Sequence, residues 1–121
     1  MLREKSFGSV KILSVDYNAL IEALKKSIKK IYESCPEVKK VFLFGSFARR
    51  DYTPESDVDL MIITDRADGP FLARADRYAD FFRAIPLDVN IIVYTEGELE
   101  KMKKDRKPFI AEVLKYAVEL K

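Results

Sequence analysis

Asp57 and Asp59 stand two residues apart at the head of an apolar run, ten residues after the dipeptide Gly45-Ser46. Residues i and i+2 of a strand face the same way, so both carboxylates point to one place. A glycine that ends a strand lets the backbone approach an anion closely. The serine after it offers a hydroxyl, and the free amides of a following helical turn point at the same spot. Mg²⁺ takes hard oxygen ligands and leaves part of its shell to substrate phosphates. Paired carboxylates beside such a turn therefore suit a nucleotide and a divalent metal bound together. Each part alone is commonplace, a solvated strand end or a simple turn. The combination Gly-Ser-x10-Asp-x-Asp arises by chance on the order of once per thousand chains of this length.

The elements that must position these groups are legible around them. Val38–Phe44 reads as a strand ending at Gly45. Ser46 begins a helical turn to about Arg50, and Asp57–Thr64 reads as the next strand. Upstream, residues 6–15 alternate loosely as a short strand. Asp16 caps a helix to about Glu33 with Leu20, Ile21, Leu24, Ile28 and Ile31 as its apolar stripe. Pro36 ends that segment. Downstream, Asp65–Pro70 is a loop, and a helix is expected over about Pro70–Ala84, burying Phe71, Leu72, Ala75, Tyr78, Ala79 and Phe82. Leu87–Tyr94 is a further strand. Thr95 and Glu98 form a capping box for a helix to about Lys104. Pro108 opens the last helix, with Phe109, Ile110, Val113, Leu114, Ala117 and Val118 inward. The expected fold is α/β (α+β mixed): a small mixed sheet of three to four strands with helices mainly on one face. Residues 1–121 form a single domain.

Composition narrows the function. The chain has no His, which removes His-based acid–base chemistry, Ser-His-Asp triads and His zinc sites. Cys35 is the only cysteine, so neither an intrachain disulfide nor a zinc cluster can form. A net charge of +2 gives little nonspecific attraction to nucleic acid, so direct nucleic-acid binding is not expected. Met1-Leu2-Arg3-Glu4-Lys5 leads into no signal-peptide core, and no apolar run reaches membrane-spanning length. A cytoplasmic protein is expected. The chain has no Gln and two Asn against many Lys and Glu, a bias of thermophilic proteins.

Gly45, Ser46, Ala48, Arg49, Ser56, Asp57, Asp59 and Leu60 closely resemble the signature of the DNA polymerase beta-like nucleotidyltransferase superfamily. Within it, the chain is similar to the minimal nucleotidyltransferases that partner HEPN-domain toxins in prokaryotic toxin–antitoxin pairs. The resemblance covers about Val38 to Val93. It implies a third acidic position at Asp88, with Asn90 on the same strand face able to support it. One departure stands out: Arg50 occupies a place where the family often has Gly, so the turn there is expected to differ.

The resemblance implies attack of a hydroxyl on the α-phosphorus of ATP, with pyrophosphate leaving. Two Mg²⁺ ions, or Mn²⁺ in their place, would stabilise both oxygens. Asp57 and Asp59 would share the ions. Asp88 would hold the catalytic ion and accept the acceptor's proton. Gly45 and Ser46 would hold the β- and γ-phosphates. Arg49 reaches the same phosphates or the carboxylates, or else forms a surface ion pair. Tyr52 and Tyr94 either stack on a base or pack within the fold. The basic run Lys101–Lys107 is a solvated helix face or a surface for an acidic partner or RNA.

The expected function is AMP transfer from ATP to a hydroxyl of a HEPN-domain toxin, which makes the chain an antitoxin. Three rivals stand beside it: an antitoxin that only binds, transfer to a small molecule, and a nucleic-acid-binding module. A homodimer would supply an acceptor pocket for the second. The wide apolar side of the last helix, or that of the 70–84 segment, is expected to dock another subunit.

Overall fold

The computed structural model describes residues 2–7 and 10–121, with side chains from Val15 onward. The chain runs β1 (Leu2–Phe7), β2 (Val10–Val15), α1 (Tyr17–Ser34), β3 (Val38–Phe44), α2 (Ser46–Arg49), β4 (Val58–Thr64), α3 (Asp76–Ala79), β5 (Val89–Thr95), α4 (Glu96–Lys104), α5 (Pro108–Tyr116) and β6 (Val118–Glu119). A four-stranded mixed sheet has the order β5-β4-β3-β6, with β4 parallel to β5 and antiparallel to β3. The α/β class and the small mixed sheet agree with expectation. Over residues 6–15, where one strand was expected, the chain instead contributes to an antiparallel pair, β1 with β2, in a sheet of their own. Residues 8 and 9 lie outside the described ones.

Sequence periodicity explains both layers. Asp16 Oδ1 accepts from the Ala19 amide at 3.2 Å and starts α1. Leu20, Leu24, Ile28 and Ile31 recur every three to four residues and are fully buried. In β4, Val58, Leu60 and Ile62 join the cluster under α1, while Met61 and Ile63 join a second cluster with Leu99, Ile110 and Val113. Helices therefore cover both faces, α1 on one and α4 with α5 on the other, instead of concentrating on one. That is why β4 reads as a continuous apolar run rather than an alternating one. In β3, Val38 and Val41 fall in the same cluster despite their odd spacing. A register irregularity between Val38 and Lys40 adds one residue and rephases the strand.

The Pro70–Ala84 segment does not form the single helix expected. It breaks into a 3-10 turn at Phe71–Ala73, the four-residue α3, and a 3-10 turn at Asp80–Phe82. Tighter winding brings residues i and i+3 into line, and Arg74 and Arg77 line one cavity. Arg74 Nη1 donates to Glu98 Oε1 at 2.6 Å. Arg77 grips Glu37 with two hydrogen bonds, 2.9 and 3.1 Å, and Tyr78 Oη donates to the same carboxylate at 2.9 Å. Tyr78 and Phe82 are buried as expected, but Phe71 and Leu72 face solvent. The last helix ends before Val118, which enters β6, pairs with Leu43 and is exposed. No helix of the described residues is long and apolar enough to cross a membrane.

Glu37 is the buried acid among the described side chains, and its carboxyl is pushed down to about 2, chiefly by the hydrogen bonds from Arg77. A depressed carboxylate contributes stability that is present above its ordinary value of 4.5 and is lost as pH falls through about 2. Glu37→Ala is expected to cost about 1–3 kcal/mol at neutral pH. The lower half of that range applies because Arg77 is half exposed, so solvent screens its charge. Urea melts at pH 7 and pH 3 check this: the gap between wild type and variant narrows at the acid pH.

Candidate active site

The antiparallel β3 and the parallel β5 bring three strand ends to one edge of the sheet: the end of β3 and the beginnings of β4 and β5. Phe44 pairs with Asp59, and Asp59 pairs with Asn90, so the three form one row across the sheet. Asp57 and Asp88 immediately precede Val58 and Val89, which also pair. The main chain secures this edge, with the Val58 amide donating to the Asp88 carbonyl at 2.8 Å.

Gly45 sits against Asp59. It has φ +74° and ψ −153°, a region open to glycine and closed to side chains. A methyl group added there would collide with Asp59 Oδ2. The group that the Gly45 backbone approaches closely here is the Asp59 carboxylate. Ser46 is half-buried and opens α2, whose Arg49 amide returns to the Gly45 carbonyl at 3.0 Å.

Asn90 is the residue that sequence reasoning placed in the wrong role. It was expected to support Asp88; instead its Nδ2 donates to Asp57 Oδ2 at 3.1 Å and to Asp59 Oδ1 at 3.3 Å. The signal was available, because a parallel register of two apolar runs puts Asn90 opposite Asp59. Asp88 has an exposed side chain. Among the described residues no three acidic or cysteine side chains group closely enough to hold a metal ion.

Burial pushes the Asp59 carboxyl above the ordinary aspartate value. The Asn90 hydrogen bond opposes this, the Asp57 charge adds to it, and Arg49 pulls it back. Two carboxylates with a neutral amide donor between them form a site short of positive charge. A divalent cation fits that donor set, since its ligands are hard oxygens and its charge offsets the repulsion. Arg49 makes the surface ion pair, with Nε 3.1 Å from Asp51 Oδ2, while its charge still reaches Asp59.

Arg50 explains its own oddity. It caps α2 in the left-handed conformation, φ 68° and ψ 22°, which a glycine adopts without cost. Its guanidinium lies 3.7 Å from the centre of the Tyr17 ring, a contact that offsets the strain. Tyr17 stacks on Tyr52, and Tyr52 on the buried Phe47. Tyr52 thus packs within the fold, and Tyr94 does the same against Phe71. Lys101, Lys103 and Lys104 lie on the exposed side of α4. A cavity of about 240 Å³ lies at the far end of β4, near Arg66, Arg74 and Arg77. Glu98 and Glu37 already pair with two of those arginines, which gives the cavity a structural reading.

Residues 26–120 match the model of the polymerase beta nucleotidyltransferase family, and the chain belongs to that family. It is a nucleotidyltransferase by class. A Methanocaldococcus jannaschii protein named putative protein adenylyltransferase is 32% identical over 101 residues, covering 84% of this chain and 95% of that protein. A second of the same name and organism is 44% identical over 45 residues, where the match spans only 43% of the relative's length. The crystal structure of a putative nucleotidyltransferase from Sulfolobus solfataricus superposes with a TM-score of 0.61 at 27% identity, over 85% of this chain and 80% of that one. The complex of a tri-AMPylated Shewanella oneidensis HEPN toxin with an MNT antitoxin matches with a TM-score of 0.53 at 16% identity, over 87% and 71% of the two chains, and so speaks to the fold alone.

Proposed function

We propose that this chain transfers AMP from ATP to a hydroxyl group of a partner protein, that the partner is a HEPN-domain toxin, and that the transfer makes the chain its antitoxin. The observation that carries this reading is the pair Asp57 and Asp59, bridged by Asn90, with Asp59 packed against Gly45. The relatives named as protein adenylyltransferases support the acceptor class. The exposed Leu72 and Val118 leave apolar surface on which a partner can dock.

In the proposed reaction the acceptor oxygen forms a bond to the α-phosphorus. The bond from that phosphorus to the bridging oxygen of the β-phosphate breaks, and pyrophosphate leaves with the electron pair. Asp57 and Asp59 would hold Mg²⁺ or Mn²⁺, which when bound neutralises charge on the triphosphate. Gly45 and Ser46 face the phosphates with backbone and hydroxyl. Arg49 supplies a positive charge beside them. Asp88, on the neighbouring strand start, accepts the proton of the acceptor hydroxyl.

Intact mass is the direct test: the chain, a candidate toxin, ATP and Mg²⁺ are incubated, and added AMP units are sought on the toxin. Asp88→Asn is expected to lower single-turnover transfer about a hundredfold or more, with ATP affinity nearly unchanged. Transfer by that variant at the wild-type rate would return Asp88 to the status of a strand-end residue. AMP on no toxin, with the toxin still neutralised, would favour the binding-only antitoxin.

A further inference from the structure

One side of α5 forms the wall of a cavity that opens beside the Gly45 turn. Phe109, Glu112, Val113 and Tyr116 follow one another at helical spacing and face Gly45 and Arg49 across it. The cavity holds about 160 Å³. Pockets that enclose drug-sized ligands run from roughly 300 Å³ upward, so this one suits a single ring system and not a whole nucleotide. Its lining includes both groups assigned above to the phosphates, Gly45 and Arg49. A ring seated there is thus tethered to a triphosphate held at the same turn.

The geometry assigns this cavity to the base of the bound nucleotide, with Phe109 and Tyr116 as the stacking side chains and Glu112 as the group that selects a purine with an amino group at its six-position. The inference rests on the nucleotidyl-transfer reading and deepens it. Phe109 is 48% and Tyr116 43% exposed, unusual for aromatic rings in a chain whose other large apolar side chains mostly lie inside. Phe109 is fixed edge-on against Phe44, with ring centroids 6.2 Å apart and planes at 88°, so it offers a preset surface. Val113 is buried and gives the cavity an apolar floor. Glu112 is the acidic side chain of the lining. An ionised carboxylate only accepts hydrogen bonds. Adenine presents an amino donor where guanine presents a carbonyl oxygen. Set against the six-position of a purine, the Glu112 carboxylate therefore accepts from the amino group of adenine and repels the carbonyl oxygen of guanine.

The test compares binding of Mg²⁺–ATP, Mg²⁺–GTP and Mg²⁺–tripolyphosphate by calorimetry, for wild type, Tyr116→Ala, Tyr116→Phe and Glu112→Gln, each checked by thermal melting. Loss of one stacking ring weakens nucleotide binding about five- to hundredfold. Tyr116→Ala should therefore lose ATP affinity on that scale and keep tripolyphosphate affinity, while Tyr116→Phe keeps both. Glu112→Gln should narrow the preference for ATP over GTP, because an amide can also donate. ATP affinity unchanged in both Tyr116→Ala and Glu112→Gln would overturn the assignment and leave the transfer reading standing. Unchanged ATP binding with slowed AMP transfer would place the acceptor side chain in the cavity and overturn it too. Wild-type protein that binds neither ATP nor tripolyphosphate would remove the transfer reading itself. If Tyr116→Ala fails to fold, the ATP-to-GTP ratio of Glu112→Gln decides alone.

Discussion

Asp59→Asn is expected to abolish AMP transfer and, in the same protein, to raise the melting temperature measured in chelator. The two effects share one cause. Asp59 is half-buried beside Asp57, and burial raises its carboxyl above the ordinary range. A raised acid favours the fold while protonated. That contribution is present below the unfolded value and is lost as pH rises through the folded one. At pH 7 the ionised Asp59 is therefore a cost to the fold. Asparagine keeps the oxygen that accepts from Asn90 and removes the charge. Its gain in melting temperature should shrink as pH falls toward the range where Asp59 is already protonated. Transfer should fall at least a hundredfold, since the variant removes one of the two charged oxygen ligands proposed for the ion. Scanning calorimetry across pH, together with single-turnover assays, checks both halves. A variant less stable than wild type at pH 7 would show that Asp59 is held by attraction rather than strained by repulsion.

Gly45→Ala should lose Mg²⁺–ATP binding more completely than any other single methyl addition to the chain. Two penalties coincide there. The backbone sits at φ +74°, ψ −153°, where a side chain costs about 1–3 kcal/mol. The new methyl also occupies the position of Asp59 Oδ2, so the carboxylate has to leave its place. The first penalty appears in stability and the second in binding. Gly97→Ala is a fair control, because nothing lies within 4 Å of a methyl at that position. Denaturant melts and calorimetric titration of both variants separate the two costs. Nucleotide binding by Gly45→Ala at wild-type strength would mean that Asp59 can move without loss, and the close approach would have no functional meaning.

The parts of the fold that announced themselves were those written in local chemistry. Asp16 and the Thr95–Glu98 capping box begin their helices where expected, because a cap is a contact between residues three apart. The end of β3, the Gly45 turn and the start of β4 were equally local. What escaped was set by distance along the chain. Asn90 reaches Asp57 across 33 residues and Asp59 across 31, and the parallel register of β4 and β5 sets it opposite that pair. The Pro70–Ala84 segment has helical periodicity, but its Arg74 and Arg77 bond Glu98 and Glu37, both distant in sequence, and it winds as short turns rather than one helix. β6 was hidden because Val118 continues the apolar phase of α5. Ala117 turns out of the helix at φ −58°, ψ 140°, and the next residues extend along β3. The arrangement of helices on both faces was foreshadowed by the unbroken apolar run of β4, which a one-sided sheet does not need.

The parallel pairing of β4 with β5 has a consequence for how the protein acquires its activity. The ladder between β3 and β4 closes across residues 45–57, whereas that between β4 and β5 must close across residues 65–88. Longer closures carry the larger entropic cost and the slower search. Asp57, Asp59 and Gly45 all belong to the shorter one, so the two repelling carboxylates can be brought together before Asn90 arrives to bridge them. A divalent ion present during refolding would relieve that repulsion at the early stage. An ion held by the proposed pair would then act first on the order of assembly, before any substrate is bound.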